Sequence, residues 1–120
     1  MTSLNTFGAV MTYAIELESR LRDYYQAIGQ ADRAKDAESR RVKLERVRRE
    51  NVVEITLEAI EGLDEADYMM NLSDTTEKGQ QAAEETAALF YTRAAPKINV
   101  REARTALERC GKQHAALLAS

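Results

Sequence analysis

Apolar residues recur along the first segment of the chain with a period of seven. Leu4, Met11, Glu18 and Tyr25 form one series, and Phe7, Ala14, Leu21 and Ile28 form a second. Interleaved, the two series make one stripe on a helix face, with seven of its eight positions apolar or aromatic and a carboxylate, Glu18, in the middle. The pattern predicts a helix over roughly Ser3 to Ile28, stopped at Gly29. A second helix is expected from about Asp32 to Ile60, ending at Gly62. Its early part is so charged that only Leu44, Val47, Ile55 and Ala59 mark an inward face. An acidic connection over Leu63–Ser73 follows. A third helix is expected from near Asp74, with Glu77 three residues later as a capping box, to about Ala95, where Pro96 stops it. Asn99 with Glu102 offers a second capping box, opening a fourth helix that reaches Leu118.

No strand pattern competes with these four helices. The expected architecture is an all-α four-helix bundle formed by residues 1–120 as a single domain. One helical hairpin covers about 3–62, a crossover about 63–73, and a second hairpin about 74–119. A chain of 120 residues can bury one core without staples. One proline and five glycines leave room for long helices.

The two hairpins resemble each other. Leu44-Glu45-Arg46 is followed by Asn51 and then two valines, and Leu107-Glu108-Arg109 is followed at the same distance by His114 and then two alanines. Glu18 precedes Tyr24-Tyr25 as Glu84 precedes Phe90-Tyr91. Such internal similarity predicts two copies of one structural unit, a pair of hairpins related by a pseudo-twofold axis.

These residues carry a family resemblance. Glu84 to Tyr91, read as Glu-x-x-Ala-x-x-Phe-Tyr, resembles the rubrerythrin branch of the ferritin-like family, and the helix from Leu107 to Leu118 is similar to that family's Glu-x-x-His helix. The resemblance implies a bundle with two metals at its centre, held by one Glu from each of two helices and a Glu-x-x-His pair from each of the others. Transferred onto this chain, the single glutamates fall on Glu18 and Glu84, one pair falls on Arg48 and Asn51, and the other on Gly111 and His114. Three of the six positions keep a ligand type. Arg cannot give up its proton and Gly has no side chain. What the resemblance implies is thus a degenerate site. Its expected form is a charge network replacing the metals, in which Arg48 compensates Glu18 and Glu84 and Gly111 makes room for it.

Two other readings stay open. A single Fe, Mn or Zn ion could sit on Glu18, Glu84 and His114 with water completing the shell, giving a reduced rubrerythrin-like oxidoreductase or metal-handling site. Against it, a lone His on the stripe Ala103, Leu107, Cys110, Gly111 and Leu118 is more often a core histidine than a ligand. The run from Arg40 to Arg49 holds six basic residues in ten and could contact nucleic acid. Asp36, Glu38, Glu45 and Glu50 surround it, however, and the net charge is −3. A solvated helix face accounts for the run, and nucleic acid is the weaker expectation.

The remaining chemistry is sparse. Cys110 is the only cysteine and reads as a small buried residue, while Tyr24, Tyr25, Phe90 and Tyr91 read as core. No catalytic Ser/His/Asp set, Gly-rich phosphate loop or zinc-type Cys/His spacing is present, so the reading leans away from an enzyme. No resident cofactor is expected. The lone cysteine and the lack of a signal-like start or an apolar run long enough for a bilayer point to a cytoplasmic protein away from membranes. A homodimer and an unidentified protein partner complete the expectations.

Overall fold

The computed structural model describes residues 4–51 and 60–119. Among them are four α-helices: α1 (Phe7–Ala27), α2 (Ala31–Glu50), α3 (Glu77–Ala94) and α4 (Arg101–Ala119). Single 3-10 turns occur at Glu65–Tyr68 and Ala95–Lys97. Helix α1 is capped by Thr6, whose hydroxyl accepts from the Ala9 amide, and Gly29 follows it at φ 77°, a backbone region that glycine enters without strain. The cap of α3 is Thr76, accepting from the Gly79 amide, rather than Asp74. Asp74 instead accepts from both the amide and the hydroxyl of Thr76, holding the capping residue in place. Within α2, Leu44 and Val47 are buried as expected, and Ala34, Ala37 and Arg40 extend the same face. Ile55 and Ala59, also expected to face inward, lie outside the described residues.

Contacts between named residues fix the direction of each helix. Glu18 meets Arg40, Arg22 meets Glu38 and Tyr25 meets Arg33, so α1 and α2 run antiparallel. Tyr91 reaches Glu18 while Tyr25 reaches Glu84, so α3 runs antiparallel to α1. Arg40 bonds Gln113 and Asn51 bonds Glu102, so α4 runs antiparallel to α2. It follows that α2 and α3 point the same way, and their connection must travel back along the bundle. It does so beside α1. Leu63 pairs with Leu4, the Tyr68 carbonyl accepts from the Tyr13 hydroxyl, and the Asp74 carbonyl accepts from the Tyr24 hydroxyl. The stretch of α1 involved is roughly 25–30 Å long at 1.5 Å per residue. Residues 63–74 can span it only by being largely extended. An up-down-up-down bundle would need α1 and α3 parallel, and is excluded by these pairs.

The core lies along the shared axis. Met11, Ala14, Leu21, Leu44, Ala87, Phe90 and Leu107 are fully buried, and Tyr68 of the crossover packs edge-on against Phe90. Large apolar side chains left exposed are scattered: Val42, Met69 and Leu89 among the described residues. No described helix is long and apolar enough to cross a membrane.

Helices α3 and α4 approach closely at Gly111. A Cβ there would stand 2.9 Å from the Cβ of Tyr91, whereas one at Gly8 in α1 would meet nothing within 4 Å. Alanine normally stabilises a helix by about 1 kcal/mol over glycine. We therefore expect Gly8→Ala to leave the melting temperature unchanged or raised, and Gly111→Ala to lower it. Thermal denaturation followed by circular dichroism checks both; a Gly111→Ala variant as stable as Gly8→Ala would show that the approach is looser than described.

Candidate functional site

The most polar part of the interior is at mid-bundle. Glu18, Glu84, His114 and Arg40 are all buried, and each comes from a different helix. Their burial follows from helical phase: Glu18 lies on the stripe of Met11, Ala14, Leu21 and Tyr25, Glu84 shares its face with Ala87 and Tyr91, and His114 continues Ala103, Leu107 and Cys110. An ionised carboxylate has no business in such a stripe unless partners satisfy it. Here every carboxylate oxygen has one. Oε1 of Glu18 accepts from Nε of Arg40 at 2.8 Å, and Oε2 accepts from the Tyr91 hydroxyl at 2.5 Å and from Nε2 of His114 at 2.8 Å. Oε1 of Glu84 accepts from the Tyr25 hydroxyl at 2.5 Å, and Oε2 faces Nδ1 of His114.

Both imidazole nitrogens thus face carboxylate oxygens. A neutral imidazole donates from one nitrogen only, so the arrangement calls for the imidazolium, which donates from both. Burial opposes that charge, but hydrogen bonds to Glu18 and Glu84 and their negative charges outweigh it, and the pKa of His114 is raised. Burial likewise acts to raise the pKa of Glu18. The hydrogen bond and charge of His114, then the charge of Arg40 and the Tyr91 hydroxyl, overcome it and lower the pKa. Tyr91 is pushed well above its ordinary value by burial and by the Glu18 charge, which keeps it a neutral donor. Two carboxylates, one imidazolium and one guanidinium sum to zero charge. The ring of Tyr91 stacks on that of His114, with centroids 5.6 Å apart and planes within 9°.

Three of the residues singled out from the sequence, Glu18, Glu84 and His114, therefore meet. Arg48 does not join them. It lies two turns further along α2, beside Gly8, Thr12 and Glu16 of α1 and Glu65 of the crossover, with its Nε buried and unpartnered among the described residues. The cation expected at Arg48 is supplied by Arg40, because the antiparallel register of α1 and α2 sets Glu18 opposite Arg40. Gly111 makes room for Tyr91, not for an arginine. Asn51 turns outward to Glu102 and to the Val47 carbonyl. Cys110 is buried nearby; burial and then the Glu18 charge push its thiol up to about 12, far from a reactive thiolate.

A signal for Arg40 was present. Ala37, Leu44 and Val47 define a stripe on α2 that passes through position 40, just as the stripe of α1 passes through Glu18. The roles of the Tyr25 and Tyr91 hydroxyls had a weaker signal, since each lies seven residues after its own hairpin's glutamate but serves the other hairpin's. Comparison with protein-family models, with curated proteins and with solved structures gives no match to this chain.

Two outcomes are expected. Arg40→Ala strands the Glu18 charge in the core and should cost about 3–5 kcal/mol in urea denaturation, against less than about 1 kcal/mol for Arg48→Ala; the reverse order would return the compensating role to Arg48. The second concerns pH. His114, with its pKa raised from 6.5, contributes stability that is complete below that value and lost as pH rises through the folded pKa. Glu18, lowered from 4.5, contributes stability present above that value and lost as pH falls through its folded pKa. Melting temperature should therefore be highest between those two ordinary values and decline on the alkaline side. The alkaline decline should flatten in His114→Gln, and an unchanged slope would remove His114 as its source.

Proposed function

We propose that this chain is a ferritin-like four-helix-bundle protein, of rubrerythrin-like descent, whose di-metal centre has been replaced by a charge-neutral hydrogen-bonded cluster, and that it serves a binding or structural role. The parallel α2 and α3, the crossover beside α1, and the reciprocal bonds of Tyr91 to Glu18 and Tyr25 to Glu84 support a pair of hairpins related by a pseudo-twofold. The observation that carries the reading is Arg40. Its guanidinium sits 2.8 Å from the Glu18 carboxylate, in the interior where the resemblance implies metal ions.

The donor set fits a pair of metals poorly. Arg48 and Asn51, to which the resemblance assigns one ligand pair, lie away from the cluster, Gly111 has no side chain to offer, a permanent cation occupies one carboxylate, and both nitrogens of the only imidazole are engaged. Among the described residues, no group of three or more His, Cys, Asp or Glu side chains is disposed to hold a metal. Tyr25, Tyr91 and Arg40 would each have to release a carboxylate oxygen to make one available.

A second reading rests on one specific observation, that Glu18, Glu84 and His114 converge from three helices. A single Fe, Mn or Zn ion on these three would require the imidazolium to lose one proton, freeing one ring nitrogen as a ligand, and Arg40 to move away. Elemental analysis separates the two readings. Tag-free protein incubated with Fe(II), Mn(II) and Zn(II) and then desalted should retain only substoichiometric metal. One metal per chain, lost in Glu84→Ala and His114→Ala, would establish the reduced site and overturn the leading reading.

A further inference from the structure

The crossover covers the side of the bundle formed by α1 and α3, where Tyr13, Tyr24 and Phe90 contact it. On the opposite side, α2 and α4 are bridged by two hydrogen bonds, Arg40 to Gln113 at 3.0 Å and Asn51 to Glu102 at 2.9 Å. Between these bridges lies a groove of about 510 Å³. Its walls carry Lys43 and Arg46 from α2 and Arg101, Thr105 and Arg109 from α4, with Val47, Glu102 and Ala106 also in the lining.

The groove concentrates cations: four of its eight described lining residues are Lys or Arg. Arg22, Arg40 and Arg41 each form ion pairs, with Glu38, Glu18 and Glu45 among their partners. Among the described residues, none of Lys43, Arg46, Arg101 and Arg109 forms one. Glu102, the one carboxylate among the described residues that line the groove, is engaged by the Asn51 amide. Four like charges around a shared concavity repel one another, in a chain whose net charge is −3. An anion seated between them converts that repulsion into attraction.

We propose that the α2–α4 groove binds a compact, phosphate-rich anion. Arg101, Thr105 and Arg109 recur every four residues and so share one face of α4 over about 12 Å, while Lys43 and Arg46, three apart, share one face of α2. Guanidinium forks and a hydroxyl at that spacing match two or three neighbouring phosphate groups. The first turn of α4 brings the positive end of its helix dipole to the same place. Among the described residues no aromatic ring lines the groove, so they offer none of the stacking that holds unpaired bases. The occupant is accordingly a small polyphosphate, with the phosphates rather than a base or sugar as the recognised groups. The proposal stands apart from the nature of the buried cluster, since none of the four cations touches it.

Isothermal titration of the full chain with inorganic tripolyphosphate, at low and at physiological salt, tests this. Binding should be saturable with one site per chain and should weaken as salt rises. It should fall roughly tenfold or more in Arg46→Gln/Arg109→Gln, whose side chains are exposed, so that melting temperature stays unchanged. Arg41→Gln, at a guanidinium already paired with Glu38 and Glu45, should bind as wild type does. No heat at low salt, equal affinity for sulfate, or an undiminished affinity in the double variant would each overturn the proposal. A duplex oligonucleotide binding more tightly than tripolyphosphate would overturn it in favour of nucleic acid.

Discussion

A carboxylate at the centre of an apolar helix stripe sets the terms for the rest of this molecule. Glu18 is wholly buried, and the cost of removing its charge from water is offset only by donors brought from every other helix: Arg40 from α2, Tyr91 from α3 and His114 from α4. Each donor demands a particular register. Arg40 must oppose Glu18 across the first hairpin, and Tyr91 must reach it across the bundle. His114 must stand where it can bond Glu84 as well. A one-turn slip of any helix would break at least one of these bonds and leave a charge unsatisfied. The cluster therefore acts as a registration device for the whole bundle, a use for which buried polar groups are well suited.

The cluster and the crossover depend on each other. Tyr25 and Tyr91 can exchange bonds with Glu84 and Glu18 only if α1 and α3 are antiparallel, and antiparallel α1 and α3 force the chain to cross the length of the bundle between α2 and α3. The crossover meets that demand with little regular structure. Two tyrosine hydroxyls of α1, from Tyr13 and Tyr24, tie down its carbonyls, and Tyr68 inserts beside Phe90. Covering the α1–α3 side in this way leaves the α2–α4 side free of the crossover. There, the basic run of α2 is divided by function. Arg40 turns into the core, Arg41 pairs with Glu38 and Glu45, and Lys43 and Arg46 face a groove shared with Arg101 and Arg109.

Much of the architecture was legible in the sequence because helical phase is a local property. The heptad series of Leu4 and Phe7 identified the buried face of α1, and Gly29 and Pro96 marked breaks close to where they occur. The same phase placed Glu18 and His114 on inward faces. The internal repeat matched Glu84 to Glu18 and Tyr91 to Tyr25, and these four prove to be bonded crosswise. Four helices, their order and the central carboxylates and imidazole are thus written in local pattern and repetition.

What the sequence left undecided is what depends on how one helix is set against another. Reading α2 alone, Arg40 and Arg48 are two cations two turns apart, and the register implied by the resemblance favoured Arg48; only the tertiary packing of α1 on α2 put Arg40 opposite Glu18 and sent Arg48 to the other end near Gly8. Helix direction was likewise open, since a connection of this length suits either topology, and the choice rests on bonds between residues more than fifty positions apart. Gly111 signals a need for space, which the sequence assigns to Arg48 and the packing of α3 on α4 gives to Tyr91. The groove could not be read at all from either helix, because its four cations come from two segments that the fold alone sets side by side. Period and composition are properties of one strand of chain, whereas register, direction and concavity belong to pairs of surfaces, and those exist only once the bundle has formed.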